Sequence, residues 1–260
     1  MSLLAWILLF CLLGGALSVV AAAVFLLLPE SLRTRLLPHA ISFAIGALLG
    51  AALLGLLPHA LEGMGSEGIH AVTGAVLLGL FGFFLLEKLV LWRHCHQEHC
   101  EVHVPEETGH SHAAGTLILI GDGLHNFIDG VLIGAAFLTD IHLGIVTSLA
   151  VAAHEIPQEV GDFAVLLHSG YSTGKAFFYN LLSSLTTVIG GVLAYYGFKN
   201  LVPVLPYVLA VAASSFIYIA VADLIPGLHK RVEFSATVKQ MLLIGAGVAL
   251  IYFAHSTLHS

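Results

Sequence analysis

Apolar residues fill eight long stretches of this chain, at roughly 3–28, 39–57, 71–91, 114–138, 142–168, 174–198, 201–225 and 238–256. Each is long enough to cross a hydrocarbon core of about 30 Å, so the pattern predicts an all-α membrane protein with eight transmembrane helices. Most connections are short and hold turn formers, such as Gly63, Gly65 and Gly68 before the third stretch, or Ser169-Gly170 and Gly174 before the sixth. The one substantial polar interruption is 93–113, so residues 1–260 read as a single transmembrane domain with a loop at 93–113 inside it. The first stretch, Leu3 to Leu28, exceeds the core of a usual signal peptide and no Lys or Arg precedes it. It is therefore expected to be a retained helix rather than a leader.

Composition sharpens this picture. Only 10% of the 260 residues are charged and 58% are hydrophobic, and the mean hydropathy is +0.97, which a soluble domain with a solvated surface hardly reaches. The chain is thus expected to be an integral, multi-pass protein whose surroundings are the lipid bilayer, of a plasma or inner membrane. Alternating the stretches across the bilayer puts Arg33, Arg35, Lys88, Arg93, Lys175, Lys230, Arg231 and Lys239 on one side and leaves Lys199 alone on the other. Basic residues gather on the cytoplasmic face, so both termini are expected outside and the 93–113 loop inside. The formal charge of -7 is small and part of the acid lies within the apolar stretches, which suggests no nucleic-acid partner. A second copy of the chain is the candidate protein partner. The three cysteines, Cys11, Cys95 and Cys100, are too few and too badly placed for a disulfide framework.

The chemistry sits in the fourth and fifth stretches. In Gly121-Asp122-Gly123-Leu124-His125-Asn126-Phe127-Ile128-Asp129-Gly130, the polar residues Asp122, His125, Asn126 and Asp129 follow i, i+3, i+4, i+7 and share one helical stripe. The fifth stretch holds His154-Glu155-Ile156-Pro157-Gln158-Glu159, with the i, i+4 pairs His154/Gln158 and Glu155/Glu159 on adjoining stripes and Asp162 beyond them. A charged side chain at the centre of a membrane helix costs about 2.5–3.5 kcal/mol on insertion scales, and a bound cation offsets that cost. Counting inward at 1.5 Å per residue, His125 and His154 reach depths of about 16–18 Å on antiparallel neighbours, so the two clusters are expected to meet near the midplane. Pro157 removes a backbone donor and leaves the carbonyl of Ala153 without its usual partner, which loosens the helix beside these residues. Imidazole nitrogen with carboxylate and amide oxygen suits Zn²⁺, Fe²⁺, Mn²⁺ or Cd²⁺ rather than Na⁺ or K⁺. The absence of thiols from these two stretches argues against copper(I).

HNFIDG and HEIPQE resemble the paired signatures of the Zrt- and Irt-like (ZIP) metal transporters, especially the branch whose fifth helix reads HEXPHE. The likeness extends to the GDGLHNFIDG block, to Leu57-Pro58-His59 ending the second stretch, and to Ala222-Asp223-Leu224-Ile225-Pro226 ending the seventh. It implies a three-plus-two-plus-three helix arrangement and uptake of a divalent metal, zinc foremost, by alternating access with an elevator-like displacement. By motif position, His125, Asp129, His154, Glu155 and Gln158 would form the main site, and Asn126 would face an adjacent second position. Two departures stand out. Gln158 replaces the branch's histidine, and 180–187 of the sixth stretch offers no carboxylate where some members complete a two-metal site, so one tight ion is expected, with Ser184 and Thr187 as candidate path residues.

Isolated intramembrane polar residues are often interhelical glue. Asp122 and Glu159 read equally well as acceptors that orient a ligating histidine, Asp162 as vestibule lining, and His59 and Asp223 as either transient metal stops near opposite mouths or interface residues. In the loop, His94, Cys95, His96, His99, Cys100, His103, His110 and His112 are candidates for weak metal binding, though they lack finger spacing. The rival from another class is an intramembrane metalloprotease, because His154-Glu155 begins a His-Glu-X-X-His pattern. Gln158 stands where its second histidine is required. The expectation is therefore a transporter and no enzyme.

Overall fold

The computed structural model describes residues 1–64, 68–94, 111–229 and 233–258. They form eight long helices: helix one Leu3–Leu26, helix two Glu30–Met64, helix three Ile69–His94, helix four Ser111–Thr139, helix five Ile141–His168, helix six Thr173–Phe198, helix seven Val202–Leu228 and helix eight Phe234–Leu258. Seven are long and apolar enough to cross a membrane. The remaining one, helix five, spans 28 residues and carries Glu155, Glu159 and Asp162, which its buried face hides from lipid. Helix two begins at Glu30 rather than near residue 39, because its first turns are polar: hydropathy marks the part of a helix inside hydrocarbon, whereas backbone hydrogen bonding continues into the interface.

Several helices are interrupted where the sequence demands it. Helix one breaks at Gly15, whose φ -85° and ψ -84° leave the helical region, and helix six breaks at Leu185. The two breaks are neighbours, since a Cβ on Gly15 would sit 2.7 Å from the Ser184 carbonyl oxygen. Helices two and seven each widen into a π-helical turn, Ala51–Leu56 and Ile219–Leu224, directly before Pro58 and Pro226. A proline lacks its N–H and its ring crowds the preceding turn, and a wider turn relieves both strains.

The helices sort into two groups. Helices one, four, five and six pack on one another, helix two packs on helices three, seven and eight and helix three on helix seven, and helix five bridges the groups, chiefly against helix two and also against helix eight. The three-plus-two-plus-three order along the chain is thus interleaved in space. Close approach inside each group rests on glycine. A Cβ on Gly130 would collide with the Thr187 carbonyl, and one on Gly46 would collide with the Ile244 carbonyl. Small residues allow this kind of packing where lipid offers no hydrophobic drive for helix association. An apolar groove of about 650 Å³, lined in part by Leu78, Phe83, Phe127, Val131 and Tyr207, runs along the seam between helices three, four and seven.

Candidate metal centre

Helix four ends at Thr139 and helix five starts at Ile141, with Asp140 between them as N-cap. The Asp140 carboxylate accepts from the backbone N–H of His142 at 2.8 Å and of Leu143 at 3.0 Å, which satisfies two of the donors a helix start leaves free. So short a link forces an antiparallel hairpin. His125 lies fifteen residues before Asp140 and His154 fourteen after it, and at equal rise per residue they arrive at one depth.

There the side chains of His125, Asp129, His154 and Glu155 converge, each offering a ligand atom within 4.8 Å of the others. The Nε2 atoms of His125 and His154 are 3.3 Å apart. His125 Nε2 is 3.3 Å from Glu155 Oε1 and 3.8 Å from Asp129 Oδ2, and His154 Nε2 is 3.2 Å from Asp129 Oδ2 and 3.6 Å from Glu155 Oε1. A tetrahedral zinc site with bonds of about 2.0–2.2 Å has corners roughly 3.3–3.6 Å apart, and these five separations, 3.2–3.8 Å, are close to that spacing. His154 Nδ1 lies 3.0 Å from the Ala150 carbonyl. A carbonyl can only accept, so Nδ1 carries the proton and Nε2 presents its lone pair to the centre. Neither carboxylate has a hydrogen-bond partner among the described residues: Asp129 and Glu155 are fully buried with all four oxygens unsatisfied. Two buried carboxylates without donors, facing two imidazole nitrogens, are a donor set that could hold a divalent cation.

Access comes through His125. Its side chain is 25% exposed while those of Asp129, His154 and Glu155 are at most 1% exposed, and it lines a cavity of about 240 Å³ shared with Phe83, Glu87, Ser215, Tyr218 and Asp223. The Tyr218 hydroxyl donates to the Glu87 carboxylate across helices three and seven. Glu87 and Tyr218 were not among the sequence candidates, although an acid near the end of an apolar stretch was a usable signal.

The other candidates are placed as follows. Asn126 is fully buried but its amide is engaged: Nδ2 donates to Asp122 Oδ1 at 2.8 Å, and Oδ1 accepts from Thr187 Oγ1 at 2.8 Å. It ties helix four to helix six beside the centre and is not one of the four converging groups. Gln158 is half-buried one turn beyond His154. Asp122, buried, accepts from Asn126 and from the Ser183 hydroxyl, and together with Glu155 and Glu159 it forms a second carboxylate cluster. Asp162 is buried with Oδ2 unpartnered. Ser184 is buried and donates to the Leu181 carbonyl at 3.0 Å. His59 packs edge-on against His255 at 5.4 Å between ring centres and is not one of the four converging groups. Pro157 does not end helix five, which runs unbroken to His168. Of the loop candidates, Cys95, His96, His99, Cys100, His103 and His110 lie outside the described residues, and His94 and His112 belong to the flanking helices.

Comparison with known proteins matches residues 93–255 to the sequence model of the ZIP zinc transporter family. The chain is 44% identical over 154 residues to zinc transporter foi of Drosophila melanogaster, an alignment covering 58% of this chain and 21% of that protein. It is 42% identical over 144 residues to zinc transporter ZIP10 of Danio rerio, covering 52% and 17%. With zinc transporter ZIP13 of Pongo abelii it shares 31% identity over 268 residues, covering 93% of this chain and 76% of that one. The chain thus spans about a fifth of the length of the first two relatives and three quarters of the third.

Proposed function

The chain belongs to the ZIP zinc transporter family, and from that premise we propose that it carries a divalent metal ion, zinc foremost, across a membrane through the centre formed by His125, Asp129, His154 and Glu155. The observation that carries this reading is the convergence of two imidazole nitrogens, at 3.2–3.8 Å, on two buried carboxylates that have no hydrogen-bond partner among the described residues. Gln158 approaches the same ion during passage, and Asn126 holds helix four in register beside it. Fe²⁺, Mn²⁺ and Cd²⁺ are the competing cargoes by ligand chemistry. Inward flux toward the cytoplasm agrees with an inside-negative potential, which favours cation uptake by about 2.3 kcal/mol per charge per 100 mV. Alternating access is supported by the partition into two helix groups, because relative movement along a seam with an open groove disrupts less packing than movement inside either group. The test is metal uptake by the purified chain in liposomes with zinc, iron, manganese and cadmium in competition. Binding without flux would overturn transport and leave a metal-binding membrane protein.

Gln158→His is expected to raise the preference for zinc over manganese and ferrous iron several-fold, since imidazole is a softer donor than an amide oxygen. It is also expected to steepen inhibition between about pH 7 and pH 5.5, because a further imidazole, with an ordinary pKa of about 6.5, exchanges metal for proton in that interval. The competition assay run at both pH values checks this. If metal preference and pH profile both stay as in the wild type, Gln158 does not meet the ion.

Replacing residues 95–110 by a Gly/Ser segment of equal length is expected to weaken apparent affinity while leaving measurable flux. A connector between helix three and helix four supplies none of the four converging ligands. Zinc uptake that vanishes although the protein inserts normally would place an obligatory step in that loop.

A further inference from the structure

Arg35 and His39 stand one turn apart near the start of helix two, and Lys239 stands near the start of helix eight. These two helices run parallel in close contact, since Gly46 meets Ile244 and Gly50 meets Ile251, so their starts lie side by side. Between the starts opens a cavity of about 200 Å³ lined by Arg35, His39, Glu233, Ser235, Lys239 and Gln240. Gln240 Nε2 also donates to the Leu228 carbonyl at 3.4 Å, which holds the end of helix seven against this corner.

Charge in the cavity is unbalanced. The ion pairs among the described residues involve histidine alone, so neither Arg35 nor Lys239 is paired with Glu233. Two cationic side chains against one acid leave the cavity net positive, in a chain whose formal charge is -7. Above it the surface turns apolar. From Lys239 along helix eight, Leu242, Ala246 and Leu250 follow at steps of three and four residues and continue its stripe, and all three are exposed. From Lys239 to Leu250 the helix rises about 16 Å, which matches half of a hydrocarbon core of about 30 Å.

We propose that the cavity between helices two and eight binds the headgroup phosphate of an anionic phospholipid, with its acyl chains lying along Leu242, Ala246 and Leu250. Basic pockets between transmembrane helices on the cytoplasmic side hold such headgroups, and the basic residues of this chain are expected on that side. The charge count sets the lipid class. One phosphodiester, as in phosphatidylglycerol, neutralises the surplus that two cations and one acid leave, whereas phosphatidylcholine brings an ammonium into a cavity that is already positive. Arg35 is the stronger anchor, because a guanidinium engages two phosphate oxygens at once. Ser235 and Gln240 supply a hydroxyl and an amide at the same place. Both walls belong to the group of helices two, three, seven and eight, so the lipid fastens that group to one leaflet.

The experiment is native mass spectrometry of the full-length chain purified in detergent, titrated separately with phosphatidylglycerol, phosphatidylcholine, phosphatidylethanolamine and inorganic phosphate. The wild type is expected to hold one phosphatidylglycerol per chain, at least about tenfold more tightly than either zwitterionic lipid. Arg35→Gln combined with Lys239→Gln is expected to weaken that binding about 30-fold, the effect of removing two basic groups that face an anionic lipid. Lys239→Arg should retain it, and Lys199→Gln, at the opposite end of the helices, should leave it unchanged. Arg35 and Lys239 are exposed, so helical content and elution volume should stay as in the wild type and the loss reports the pocket. Unchanged phosphatidylglycerol affinity in the double variant overturns the site, and an equal loss in Lys199→Gln reduces it to general attraction between charges. Equal binding of phosphatidylcholine or phosphatidylethanolamine overturns the anionic class. Inorganic phosphate held as tightly as phosphatidylglycerol overturns the lipid as the occupant.

Discussion

Zinc uptake by proteoliposomes carrying His154→Ala or Asp129→Ala is expected to lose its saturable component and fall at least about 100-fold below the wild type, more than the 10–100-fold that follows loss of a residue merely supporting a ligand. Each substitution removes one of the four converging groups. His154→Ala also releases the Ala150 carbonyl that fixes the imidazole, and Asp129→Ala takes away the carboxylate nearest to His154 Nε2, at 3.2 Å. Neither change cuts a backbone hydrogen bond. Both variants should therefore elute as the wild type does on size exclusion and retain its helical content. A folded variant of either kind that transports at the wild-type rate would remove these residues from the ion path.

Gly130→Val is expected to cause the largest loss of folded protein of any single change in helix four. The atoms a Cβ would strike are the Thr187 carbonyl and the Gly191 backbone nitrogen, and backbone inside a packed helix pair cannot rotate aside as a flexible side chain can. Overpacking a core ordinarily costs about 1–3 kcal/mol, and the rigidity of the obstruction places this case at or above the upper end. Separating helices four and six would also break the links from Asn126 to Thr187 and from Ser183 to Asp122, moving His125 off the centre. Gly161→Ala on helix five is the matched control, since nothing lies within 4 Å of its Cβ position. Thermal unfolding in detergent should show a clear fall for Gly130→Val and no fall for Gly161→Ala. Equal stability of the two would mean that helices four and six are not in close contact.

The metalloprotease alternative weakens on the geometry of the four-residue group. A His-Glu-X-X-His enzyme binds its metal with two histidines on one helix and keeps the glutamate as a base. Here the two histidines come from different helices, and Glu155 points its carboxylate at both imidazoles.

Much of this protein was legible along the chain. Eight apolar stretches gave eight helices, and the spacing of His125 and Asp129, with His154 and Glu155 across a one-residue turn, brought those four groups to one depth. Periodicity and rise per residue suffice for that, because both are properties of a single helix or of two joined by a short link. The partners of helix four beyond that link were not legible. Gly130 and Gly134 announced a close approach without saying that helix six makes it, and the polar stripe did not show that Asn126 is hydrogen-bonded to Asp122 and Thr187. Nor did it show that Asp122 joins Glu155 and Glu159 in a group of their own, or that Glu87, Tyr218 and Asp223 line the way to His125. These features depend on how helices distant in sequence are rotated and docked, and a local pattern fixes which face of a helix is polar but not which neighbour that face meets.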